Sequence, residues 1–113
     1  MSGAGASLAD RALIAEQLGD LPAEVVAGIL AAFAADCERC ARDLLAATTA
    51  GDTVAAGRAR HALRGICGNF GAARLIAVAE GPLHYEADRA AFRAVMARTL
   101  SAVGEAAARL GDQ

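Results

Sequence analysis

Between Pro22 and Thr49, apolar residues recur at Val26, Leu30, Phe33, Cys37, Cys40 and Leu44, at alternating spacings of four and three. That rhythm places them along one face of an α-helix, about five turns long. Ile29, Ala41, Leu45 and Thr48 widen the stripe. A helix of this length with one apolar face is stable in water only when other helices cover that face. The spacing predicts a helix over 22–49. Pro22 suits the first turn, where its missing N–H is not needed, and Ala50-Gly51 ends the helix.

The remaining chain supplies the partners. Ser7 with Asp10 resembles a capping box and predicts a short helix over 8–18, apolar at Leu13, Ile14 and Leu18 and stopped by Gly19. Asp52 is the expected cap of a third helix whose apolar face reads Ala56, Ala59, Leu63, Ile66, Cys67 and Phe70, with Gly71 breaking it. A fourth helix is expected over 72–80, ending at Gly81-Pro82, and a last one over 86–110, with Phe92, Val95, Met96, Thr99, Val103, Ala106 and Leu110 as its stripe. Gly111-Asp112-Gln113 reads as a tail. No strand-like alternation and no internal repeat is present. Apolar residues make up 56 % of the chain but aromatics only 4 %, and much of the apolar fraction is Ala. Such a core must come from closely packed helices. The expected fold is all-α: an antiparallel up-down four-helix bundle with a short additional N-terminal helix. Residues 1–6, small and flexible, are read as a disordered N-terminus before one domain over 7–113.

The formal net charge is −2, with acids and bases interspersed, which argues against a nucleic-acid partner. No run approaches the roughly 18 apolar residues of a membrane span, and the first residues lack the basic region of a signal peptide. A cytoplasmic location and a monomer are expected. Three cysteines are an odd number and exclude a complete disulfide framework. Cys37-x-x-Cys40 lies on the apolar seam, no second such pair exists, and structural zinc wants four ligands. All three cysteines are read as core residues, and no metal site is expected.

The stretch from Arg60 to Ala72 departs from this pattern. It contains His61, yet Gly57, Gly65 and Gly68 interrupt the helix that carries it. Each helical Gly costs about 1 kcal/mol against Ala, in a chain where Ala is plentiful. Gly57 lies at i−4 from His61, and Arg64, Gly65 and Gly68 lie at i+3, i+4 and i+7. The histidine therefore stands on a strip bare of side chains, on the side of the helix facing away from the core, with a fixed positive charge beside it. His84 has no such surroundings and reads as an ordinary surface or capping residue.

His61-Ala62-Leu63-Arg64-Gly65, followed by Ile66-Cys67-Gly68-Asn69 and then Phe70-Gly71-Ala72, resembles the signature of the histidine-containing phosphotransfer (HPt) domains of two-component phosphorelays. That family's usual pattern is His-x-Leu-Lys-Gly, four mostly small residues, a bulky apolar residue and Gly-Ala. Phe33, Ala50-Gly51-Asp52, Leu75 and Glu80 also fall where the family tends to place such residues, so the resemblance covers roughly 8–110. Arg64 stands where the family has Lys. None of the eleven basic residues of this chain is Lys, and Arg keeps the charge while adding a planar fork that can bind phosphate in a bidentate manner. Ile66 is bulkier than the family's common Ser.

The resemblance implies that His61 accepts a phosphoryl group from a receiver-domain aspartyl-phosphate or a histidine kinase and passes it to another receiver. Arg64 would pair with the phosphoryl oxygens. Gly57, Gly65 and Gly68 would let the partner's backbone approach. Arg58 and Arg60 flank the histidine, either attracting an acidic partner face or simply forming solvated surface. The expected partners are response-regulator receiver domains, a hybrid histidine kinase, or both. No cofactor is expected on this chain; Mg²⁺ and the acidic residues would belong to the receiver. On this reading the protein is a phosphocarrier without independent catalytic activity. Two rivals are a non-catalytic bundle that binds a partner through the same glycine-lined face, and a metal or redox bundle using Cys37, Cys40 and Cys67.

Overall fold

The computed structural model describes residues 6–112. The expected disorder of 1–5 and the end of the tail at Gln113 lie outside the described residues. Five α-helices follow one another: α1 (Arg11–Leu18), α2 (Ala23–Ala50), α3 (Thr53–Gly68), α4 (Ala73–Glu80) and α5 (Glu86–Ala108). No strand occurs among the described residues. α2 packs against α3 and α5, α3 against α4, α4 against α5, and α1 against α5. None of the helices is long and apolar enough to cross a membrane.

The long stripe of α2 forms the centre. Phe33, Cys37, Cys40 and Leu44 are buried in one core cluster with Leu63 and Cys67 of α3, Leu75 of α4, and Phe92 and Val103 of α5. Phe33 meets Phe70 edge to face with ring centroids 5.0 Å apart, the geometry that aromatic quadrupoles favour. Thr99 is fully buried, and its hydroxyl donates to the Val95 carbonyl at 2.8 Å, so the core carries no orphaned polar group there. Leu13 and Val26, at the stripes' edges, are only half-buried.

Three helix limits differ from the sequence reading by two residues or more; α3 ends at Gly68, short of Phe70. α1 begins at Arg11, and its cap is Asp10, whose carboxylate accepts from the Leu13 N–H at 3.1 Å. Ser7 caps nothing. The reason is tertiary: the Asp10 N–H donates to the Phe70 carbonyl at 2.9 Å, and the Arg74 N–H to the Ser7 carbonyl at 2.9 Å. These bonds hold 7–10 in an irregular path alongside the α3–α4 connection. At the other end α5 stops at Ala108, and Arg109–Asp112 tighten into a 3₁₀ turn, a common way for a helix to end.

The connections around α3 set its position. Gly51 adopts φ +71° and donates its N–H back to Ala47 and Thr48, an αL stop that glycine makes without steric cost. The Asp52 carboxylate then accepts from the Ala55 N–H at 3.0 Å and starts α3. Gly71, at φ +64°, ends the α3 segment; a Cβ there would overlap that of Asp10. Beyond α4, Leu83 is only 1 % exposed, a core contact that its place in a Gly-Pro connection did not advertise. The Arg89 guanidinium holds this connection, donating to the carbonyls of Leu83 at 3.1 Å and His84 at 2.9 Å. His84 itself is exposed.

Candidate functional site

α3 buries Ala56, Ala59, Leu63 and Cys67. His61 is exposed, because it projects from the opposite side of a helix whose period is 3.6 residues. Gly57, Gly65 and Gly68 are exposed too, and a methyl group at any of them would meet nothing within 4 Å. No neighbouring element approaches the strip closely enough to require glycine. The packing of this chain therefore gives no reason for three poor helix formers on one face. Val54 continues the strip one turn before Gly57 and is 63 % exposed.

Arginines border the strip on both sides. Arg58, on the α2 side, is exposed and lines an open groove of about 600 Å³ between α2 and α3, together with Arg39, Asp43 and Ala62. Arg60 and Arg64 lie on the α4 side. The Arg60 Nε–H donates to the Ala79 carbonyl at 2.7 Å, and the side chain is half-buried. Arg64 donates from Nε to Glu80 Oε1 at 3.0 Å and from Nη2 to the same oxygen. Both arginines thus reach the C-terminal end of α4, where unsatisfied carbonyls and the helix dipole favour cations. α4 has no basic residue in its own last turn; α3 supplies the charge from outside.

Sequence reasoning placed Arg60 and Arg64 beside the histidine but did not find their partners. Glu80 is sixteen residues from Arg64, and Ala79 nineteen from Arg60. No helical spacing rule relates positions so far apart, since the chain turns back between them. Asn69 forms the C-cap of α3, and its carbonyl accepts from Gln17 at 3.5 Å, so it belongs to the end of the helix.

The cysteines lie in the core, away from the strip. Cys37, Cys40 and Cys67 are all buried and free of disulfides. A hydrogen bond with Cys67 and burial push the Cys37 thiol well above the ordinary cysteine range, burial raises Cys40, and the same hydrogen bond with Cys37 lowers Cys67. A raised thiol such as Cys37 or Cys40 is a poor nucleophile and a poor metal ligand. No group of three or more His, Cys, Asp or Glu side chains among the described residues is placed to hold a metal ion. No family model matches this chain, nor does any curated protein or solved structure.

Proposed function

We propose that the protein is a histidine phosphotransfer (HPt) protein that carries a phosphoryl group on His61 between the receiver domains, or the histidine kinase and response regulator, of a phosphorelay. The observation that carries this reading is the exposed imidazole on a strip of three exposed glycines whose missing side chains no internal contact explains. A partner that must bring an aspartyl-phosphate to the ring needs such open backbone. In the transfer, an imidazole nitrogen attacks phosphorus, the acyl-phosphate P–O bond breaks, the aspartate carboxylate leaves, and the ring gives up its N–H proton. Positioning and charge neutralisation dominate such steps. Arg64 is the residue of this chain that meets the phosphoryl oxygens, Arg58 the one best placed to attract an acidic partner face, and Mg²⁺ belongs to the receiver. In this proposal α2, α3, α4 and α5 form an up-down antiparallel four-helix bundle with α1 added. Their packing in a closed ring of neighbours supports it. The protein would act as a cytoplasmic monomer.

Incubation with a phosphorylated receiver domain tests the reading. Acid-labile label appears on the wild-type chain and is absent from His61→Gln. Label that persists on the variant, or a receiver that binds the glycine-lined face without transfer, overturns the assignment; the latter outcome would make the chain a partner-binding module.

A further inference from the structure

The guanidinium expected to meet the phosphoryl group is already occupied. Arg64 donates two N–H groups to one oxygen of Glu80, and the two side chains are 55 % and 45 % exposed. An ion pair this accessible adds little to folding stability. The firmer attachment of α4 to α3 is the half-buried Arg60 bond to the Ala79 carbonyl, one residue away. The Arg64–Glu80 pair is thus not needed to hold α4, and it is open to exchange. Glu80 is the last residue of α4, at the negative end of the helix dipole, where a carboxylate is poorly placed unless a cation sits beside it.

We propose that Glu80 is a positioning residue, a built-in competitor that holds Arg64 on the α4 side of the strip and releases it to a phosphoryl group on His61. The inference rests on the phosphotransfer reading. A phosphoryl group carries more charge than a carboxylate and offers three acceptor oxygens, so it draws the guanidinium away. Loss of the Arg64–Glu80 pair is then part of every phosphorylation event. It makes the phosphohistidine less stable than it would be beside a free arginine, and so a better donor to the next partner. Glu80 thereby sets how readily the carrier fills and empties without touching the reacting atoms.

Phosphoramidate tests this without a protein partner. The imidazole nitrogen forms a bond to phosphorus as the P–N bond of phosphoramidate breaks, and the imidazole proton leaves with the departing ammonia. The readout is the ratio of phosphorylated to free His61 at a fixed phosphoramidate-to-ammonia ratio, with folding of each variant checked by circular dichroism. Glu80→Gln raises the ratio about threefold, the scale of one exposed ion pair. The increase shrinks in ~1 M salt, which screens exposed charges, and vanishes in an Arg64→Gln background. An unchanged or lowered ratio in Glu80→Gln, with the wild type labelled on His61, overturns the role of Glu80 and leaves the carrier reading intact. An increase that persists without Arg64 also overturns it, because Glu80 would then repel the phosphoryl group directly. No label on the wild type overturns both readings.

Discussion

At the scale of single residues, glycine has opposite meanings at nearby positions of the same segment. Gly57 and Gly65 lie inside α3, with nothing near the place a side chain would take. Ala at either position removes the backbone-entropy cost of glycine without a clash, so each variant is about 1 kcal/mol more stable. For a domain of this size that raises Tm by about 4 °C, measurable by thermal denaturation. Gly71 has φ +64°, and its Cβ would overlap that of Asp10. Gly71→Ala is destabilised by about 2 kcal/mol or more, from the left-handed backbone and the displaced Asp10. Gly65→Leu gives the functional counterpart: the bundle stays folded, while phosphoryl transfer from a receiver slows about tenfold or more, since misplacing reacting groups by even an ångström is costly. Transfer at the wild-type rate would mean that the open strip is not a docking surface.

At the scale of the element, α4 depends on its neighbours. Its eight residues are too few to form a helix alone. Leu75 and Ala79 bury its inner face, while Arg60 holds its C-terminal end from α3. Arg60→Ala leaves the Ala79 carbonyl without that partner and removes a cation from the helix end. The expected cost is about 1.5–3 kcal/mol, the range of a hydrogen bond to a charged group. Hydrogen exchange shows it as faster opening of α4 amides, with the α2–α3 amides less affected. Equal loss of protection throughout the chain would mean that α4 does not open separately.

At the scale of the whole molecule, one core cluster draws on all five helices and contains the three cysteines. Cys37, Cys40 and Cys67 therefore react with a thiol reagent only after that core opens. Thiol accessibility and loss of helical signal should fall on the same denaturant transition, as expected of one cooperative unit. Rapid labelling of the native protein would contradict the buried assignment. The order of the helices, the α2 stripe, the burial of the cysteines and the exposure of His61 were legible in the sequence. They follow from a helical period, and a period is a local property that a chain carries in its residue order. The start of α1 was misread because Ser7 and Asp10 are tied by backbone bonds to residues some sixty positions away. Leu83 was missed because a single apolar residue in a connection has no period to reveal it. The partners of Arg60 and Arg64 were invisible for the same reason: they depend on where α4 comes to rest after the turn at Gly71. Sequence alone determined that a histidine stands on an open helical strip. Only the tertiary structure decided what the arginine beside it holds, because a long side chain chooses its partner from whatever the folded chain brings within reach.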